Sequence, residues 1–168
     1  EVIAETKPDA LISALGTTWK KAGKDEDTFR AVDLDLVVTS AKAAKEAGAQ
    51  QMILVSSGMA NAASKNFYLS VKGQAEAGVT LLKFDRTDIF HPGLLVGKRI
   101  NDPRLAETAA IILSPVMNVL LHGKARKMRS IRDDVVARGA LNLALAKQKG
   151  RFVHDNDAIV RASRQLST

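Results

Sequence analysis

Short apolar runs alternate with longer amphipathic ones along this chain. Residues 9–15, Asp-Ala-Leu-Ile-Ser-Ala-Leu, form a compact apolar run closed by Gly16-Thr17-Thr18. That predicts a buried strand, then a turn where another group approaches the backbone. Residues 19–28 are polar and read as a loop, with Trp19 as a packing anchor. Phe29, Val32, Leu36, Val37, Ala41, Ala44 and Ala47 then recur at spacings of three and four, the stripe of an amphipathic helix, and Gly48 stands where such a helix stops. Met52-Ile53-Leu54-Val55 predicts a second strand, ended by Ser56-Ser57-Gly58. A polar loop over 61–65 leads into a helix running to about Leu82, with Tyr68 and Lys72 in its first turns. Gly73 weakens that helix and implies a close neighbouring backbone.

Thr87-Asp88-Ile89-Phe90 reads as a third, weaker strand, turned by His91-Pro92-Gly93, and Leu94 to Gly97 as a short extended piece. Pro103 to about Leu121 is helical in pattern, with Pro115 kinking it near Ser114. Ser130, with Asp133 three residues on, resembles a helix cap that opens a helix to about Lys147. Arg151 to His154 predicts a last short strand and Asp157 to Gln165 a closing helix. Strands alternating with helices point to an α/β fold, a parallel sheet with helices on both faces. In such sheets ligands bind beyond the carboxyl ends of the strands. Gly16-Thr17-Thr18, Ser56-Ser57 and Pro92-Gly93 each follow a predicted strand, so they share that rim, and Tyr68 and Lys72 enter it from the helix after the middle strand.

Composition narrows the function classes. Hydrophobic residues make up 46% and charged residues 26% of 168, an ordinary globular balance that can bury a core. With no cysteine, disulfides, thiolate chemistry and Cys-based metal sites are excluded within this sequence. His91, His122 and His154 lie far apart with no carboxylate cluster at ligand spacing, so no metal site is expected. No apolar run has the length of a membrane helix, and the opening Glu-Val-Ile-Ala-Glu is not an export signal, so the expected compartment is the cytoplasm. The formal charge is +7, and part of the excess sits in Lys124, Arg126, Lys127, Arg129 and Arg132. An anion or nucleic acid is one reading of that run, but a solvated face is the simpler one. The aromatic fraction of 4% supplies no stacking platform and argues against nucleic acid.

Tyr68 and Lys72 are four apart and share a helix face. A phenol ordinarily titrates near ~10, and a fixed ammonium beside it favours the phenolate, which suits the pair to proton exchange with a carbonyl or alcohol. Leu15-Gly16-Thr17-Thr18 with Lys21-Ala22-Gly23, Val55-Ser56-Ser57, Phe67-Tyr68-Leu69-x-Val71-Lys72-Gly73-x-x-Glu76, and Pro92-Gly93-Leu94-Leu95 with Arg99 stand in an order that resembles the short-chain dehydrogenase/reductase superfamily. Within it they are similar to the atypical branch of Tat-interacting-protein-like oxidoreductases, from about Asp9 into the C-terminal helices. The resemblance implies a three-layer Rossmann-type fold that binds NADP, or NAD. It implies Tyr68 as acid/base, Lys72 on the nicotinamide ribose, and a serine orienting the substrate oxygen, Ser57 first and Ser56 second. It further implies Leu15, Gly16, Thr17 and Ser56 along the cofactor and Pro92-Gly93 behind the nicotinamide.

The expected function is therefore an NAD(P)-dependent oxidoreductase acting on a carbonyl, an alcohol or a sugar-nucleotide-like small molecule. The alternative is a non-catalytic NADP(H)-sensing interaction module. Neither reading excludes a homo-oligomer. Two departures from the family pattern stand out. His91 occupies the position before Pro-Gly where the family has arginine. The Gly-x-x-Gly-x-x-Gly turn that seats the pyrophosphate on a helix N-terminus matches no glycine spacing in the sequence. The expectation is that residues 1–168 are the C-terminal portion of one NAD(P)-binding domain, with a variable substrate side over roughly 100–168. The strand at Asp9–Leu15 would then be an open edge, and the segment alone would be a weak binder of dinucleotide, inactive by itself.

Overall fold

The computed structural model describes residues 2–96 and 129–164. Its centre is a parallel sheet of β1 (Ala10–Ser13), β2 (Gln51–Val55), β3 (Arg86–His91) and β6 (Gly150–Asp155), in the order β1-β2-β3-β6. Ile53 lies opposite Ile12 on one side and Asp88 on the other, and Phe90 lies opposite His154. A second, two-stranded parallel pair joins β4 (Leu95–Val96) to β5 (Ile131–Arg132).

The strand β2 explains the layering. Met52, Ile53 and Leu54 are all buried, so both faces of the sheet are covered. Met52 and Leu54 pack with Val37, Ala41, Ala44, Ala75 and Val79 from α3 (Leu36–Glu46) and α4 (Phe67–Leu81). Ile53 and Phe90 pack on the opposite face with Val136, Ala140, Leu143, Ile159 and Ala162 from α5 (Asp133–Ala144) and α6 (Asn156–Ala162). The expected α/β fold with helices on both faces holds. β1 is an edge strand among the described residues, and Ile12 is partly exposed on it.

The helix after β1 departs from the sequence expectation. It begins within the stretch read as a loop: α2 (Glu26–Arg30) is capped by Asp25, whose carboxylate accepts from the Thr28 N–H at 2.7 Å. α2 continues through a π-helical turn, Ala31–Asp35, into α3. The buried positions run Phe29, Asp33, Val37, Ala41 and Ala44. Three consecutive spacings of four drift off one face in a regular α-helix, and the wider π turn absorbs that drift. Leu36, expected on the apolar stripe, is exposed instead, and Asp33 takes an inward place.

Other boundaries shift as well. A short helix, α1 (Val2–Thr6), precedes β1 where none was expected. β3 is not a weak strand but an interior one, buried from Arg86 to Phe90. Its polar residues are partnered: Arg86 holds Asp88 in two hydrogen bonds at 2.6 and 2.9 Å, and His154 reaches Asp88 at 2.7 Å. Ser130 does not cap a helix; Ile131 and Arg132 form β5 first, and the helix starts at Asp133. That helix ends at Ala144, short of Lys147. The helix expected over Pro103–Leu121, its kink at Pro115, and Lys124, Arg126 and Lys127 of the basic run lie outside the described residues. Among those described, Arg132 is paired with Asp134 at 2.8 Å, and no helix is long and apolar enough to cross a membrane.

Candidate functional site

The site forms where the sequence switches from apolar strand to small polar turn. The helix that carries Tyr68 and Lys72 is capped by Asn66, whose side chain accepts from the Leu69 N–H at 3.1 Å. The preceding loop lies tight against that helix at Gly73. A side chain there would collide with the backbone of Asn61 and Ala62. Ser70 Oγ donates to the Ala62 carbonyl at 3.0 Å, and the Asn61 N–H donates to the Leu69 carbonyl at 3.0 Å. The close neighbouring backbone expected from Gly73 is therefore this loop.

Leu15, Gly16, Thr17, Ser56, Tyr68 and Lys72 line one cleft of about 1320 Å³. Tyr68 is 42% exposed and available to a ligand, whereas Lys72 is buried. The ammonium of Lys72 lies 2.7 Å from Oδ1 of Asp33, and that carboxylate is 1% exposed. Oδ2 of Asp33 accepts from the Thr17 N–H at 2.7 Å. A Cβ on Gly16 would stand 3.2 Å from Asp33 Oδ1 and 3.3 Å from Lys72 Nζ, so glycine lets the turn close over the pair. Asp33 thus joins the turn after β1 to the lysine of α4. The sequence reading missed it. Its signal was the spacing of four from Phe29 and again to Val37, which puts an acid on a buried line.

Trp19 lines the same cleft. Its ring meets Phe67 edge-on at 5.7 Å and Phe29 at 6.2 Å, and Phe29 in turn contacts the Tyr68 ring at 6.0 Å. The expected anchor role is visible, and the cluster fixes the wall beside Tyr68.

The remaining expected residues lie next door. Ser57, Pro92 and Gly93 line a neighbouring cavity of about 720 Å³, together with His91 and Met59. The two serines at the end of β2 thus face different spaces. Ser56 Oγ donates to Glu76 Oε1 at 2.5 Å, and His91 Nε2 lies 2.8 Å from the same oxygen. Glu76 does not pair with Lys72, the partner its spacing on the helix suggested; it faces Ser56 and His91 because Lys72 is turned to Asp33. Among the described residues Ser57 Oγ donates to the Gly58 carbonyl alone, at 3.3 Å. The loops after β2 and β3 are joined by the Gly58 N–H on the Pro92 carbonyl at 3.2 Å. Asn156, buried at the start of α6, accepts from the Gly93 N–H at 2.8 Å and donates to the Arg129 carbonyl at 2.6 Å. It fixes the Pro-Gly turn against the chain entering β5.

Solved structures define the class of fold. The chain superimposes on the UDP-Glc/GlcNAc 4-epimerase of Campylobacter jejuni with a TM-score of 0.66 at 12% identity, over 99% of this chain and 64% of that one. It superimposes on MoeE5 in complex with UDP-glucose and NAD with a TM-score of 0.64 at 10% identity, over 98% and 65%. For the dTDP-4-dehydrorhamnose reductase of Bacillus anthracis, in complex with NADP, the TM-score is 0.63 at 17% identity, over 92% and 58%. The chain shares the Rossmann-type fold of these structures, as the sequence resemblance implied.

Among curated proteins the chain is similar to "Protein FMP52, mitochondrial" of Meyerozyma guilliermondii, 39% identical over 142 residues, 84% of this chain and 60% of that protein. The Emericella nidulans protein of the same name is 36% identical over 143 residues, 85% of this chain and 60% of the relative. The chain spans about 60% of the length of these relatives. No family model matches it. The relatives' mitochondrial naming overturns the expected cytoplasmic location. That expectation rested on apolar runs too short for a membrane helix and on an opening without an export signal, and neither distinguishes cytoplasm from an organelle.

Proposed function

We propose that the protein carrying this chain is an NAD(P)-dependent oxidoreductase that interconverts a small-molecule alcohol and its carbonyl. The observation that carries this reading is the single cleft shared by Gly16, Thr17, Ser56, Tyr68 and Lys72 at the carboxyl ends of β1 and β2. The cleft fits a dinucleotide. Gly16 leaves the backbone open where any Cβ would crowd Lys72 and Asp33, and a buried cation and a half-exposed phenol line the same cleft. A nicotinamide dinucleotide, when bound, accepts or supplies hydride.

The chain's own residues handle the proton and the geometry. Tyr68 presents its hydroxyl to the substrate oxygen and gives or takes the proton there. Lys72, ion-paired with Asp33, turns its N–H groups to the ribose hydroxyls and supplies positive charge to the cleft that the phenol lines. A serine at the end of β2 orients the substrate oxygen. Gly16 and Thr17 run along the cofactor, and Pro92-Gly93, braced by Asn156, closes the nicotinamide end. The solved neighbours named in complex with NAD and NADP support this cofactor class, with NADP the first choice. The naming of the curated relatives supports a mitochondrial location, which imaging of a tagged full-length protein tests.

The direct test pairs titration of NADPH and NADH with turnover of a carbonyl and alcohol panel, using the full-length protein and Tyr68→Phe. The variant retains dinucleotide affinity within about threefold and loses turnover by ~10²-fold or more, the scale of a lost general acid. Equal turnover by the two proteins would remove Tyr68 from the chemistry.

A further inference from the structure

We propose that the second cavity seats the substrate, and that its occupant is a small neutral aldehyde or ketone, or the matching alcohol, with an apolar body. Its lining does not suit a sugar nucleotide. The proposal rests on the oxidoreductase reading of the neighbouring cleft. The two spaces share a partition one residue thick: Ser56 and Leu95 line the cleft, Ser57 and Leu94 the cavity. A molecule held in the cavity therefore lies next to the space that Tyr68 lines.

At about 720 Å³ the cavity has the size of a small-molecule pocket. Met59 after β2, Leu94 after β3 and Val153 in β6 line it, and they are 65%, 52% and 47% exposed. Large apolar side chains left open around one cavity mark a ligand site, where single scattered ones would not. Charge is divided between the two spaces. Lys20, Lys21 and Lys72 line the cleft, with Glu26 and Asp33, and suit the phosphates of a dinucleotide. The cavity wall carries the carboxylate of Asp155, which caps α6 by accepting from the Ala158 N–H at 3.1 Å, and His91, whose Nε2 is on Glu76 at 2.8 Å. A carboxylate there repels the diphosphate of a sugar nucleotide.

Met59 is the residue that sets this preference. The Ala60 N–H donates to the Ser57 carbonyl at 3.1 Å, so Met59 is the third residue of a tight turn, and its φ is 68°. Glycine or asparagine ordinarily fills a left-handed position of that kind. Here glycine stands one place earlier, and a methionine sits in a strained conformation with its side chain open to the cavity. A thioether adapts to apolar ligands of varied shape, and a ligand covering it offsets both costs.

The experiment uses the full-length protein with NADPH and straight-chain aldehydes from propanal to decanal, the ω-carboxylate counterpart of the best one, and UDP-glucose. A primary amide of each chain length, an unreactive stand-in for the aldehyde, is titrated into the NADPH complex by calorimetry. In the parent, kcat/KM and amide affinity rise about threefold per methylene until the cavity is full. The ω-carboxylate is poorer by about tenfold, and Asp155→Asn, which still caps α6, recovers most of that loss. Met59→Gly melts no earlier than the parent, because glycine suits the turn, yet it flattens the chain-length series. A flat series in the parent, an unchanged series in Met59→Gly, or UDP-glucose binding tighter than every amide overturns the proposal. Amide binding with the expected slope but no turnover of any carbonyl or alcohol leaves the apolar seat standing and defeats the oxidoreductase reading. Turnover of charged substrates with no amide binding does the reverse.

Discussion

Replacing Asp33 with asparagine removes a charge while keeping the shape of the side chain. In the parent, Asp33 is 1% exposed and faces a lysine side chain that is 9% exposed, at 2.7 Å. Losing the carboxylate leaves the Lys72 ammonium in a poorly hydrated place without a counter-charge. Breaking a buried pair from one side costs about 3–5 kcal/mol. Lys72 lies on Oδ1 and the Thr17 N–H on Oδ2, and asparagine replaces one of those two oxygens by an NH2 donor, so the two contacts cannot both persist as they stand. Asp33→Ala orphans that N–H as well, a further cost of about 1–3 kcal/mol. The loss is measured by urea unfolding followed by circular dichroism, with the m-value required to stay constant. For a chain of this size, about 3 kcal/mol corresponds to a fall in Tm of roughly 6–12 °C. The decisive control is Asp33→Asn with Lys72→Met. A neutral pair of similar volume restores stability toward the parent, since removing both buried charges is often neutral or favourable. A loss below about 1 kcal/mol in Asp33→Asn alone would mean that the pair behaves as an exposed salt bridge, and the assignment of Asp33 as the brace of the site would be wrong.

Three further outcomes follow from the same contacts. Gly73→Ala raises helix propensity by up to about 1 kcal/mol in isolation yet destabilises the protein, because the new methyl collides with Asn61 and Ala62; a melting scan showing net stabilisation would refute the close approach. Asn156→Ala frees the Gly93 N–H and the Arg129 carbonyl together, and hydrogen exchange at Gly93 should rise while the sheet amides stay protected. The Asp25 carboxyl is held below its ordinary range, first by the Thr28 side chain and then by the Thr28 N–H. Its folded value is depressed, so the cap is present in full above the ordinary carboxylate range. It is lost as pH falls through that depressed value. Acid titration by NMR should show the amides of α2 fraying there, and an unchanged Thr28 amide would refute it.

The alternation of strands and helices was legible because Met52-Ile53-Leu54 and Leu11-Ile12 are apolar runs bounded by turn residues. The spacing of four put Tyr68 and Lys72 on one helix face, and both line the same cleft. β3 looked weak because Arg86, Thr87 and Asp88 are polar, and only the fold shows that Arg86 and His154 satisfy Asp88 inside the sheet. Ser56 and Ser57 could not be told apart in a linear reading. Neighbouring residues leaving a strand point to opposite sides, and which side holds the cleft depends on helices far away in sequence. Asp33 was hidden for a related reason: hydrophobic periodicity counts apolar positions, and this inward position is filled by an acid.

The π-helical turn at Ala31–Asp35 makes this stretch sensitive to length rather than to composition. A π turn rotates the chain by roughly 82° per residue instead of 100°, so Phe29, Asp33 and Val37 come out nearly in line. Deleting any one residue from 31–35 would let the segment relax into an ordinary α-helix without breaking it. The two halves would keep nearly their present phase, because Phe29 to Val37 now turns through about 710° and would then turn through about 700°. Phe29 and Val37 would keep their inward places, but an acid between them would swing by about 40° or more and leave Lys72. A one-residue deletion here, unlike one in a regular α-helix, spares the core and removes only the brace, leaving the lysine to be held by other means.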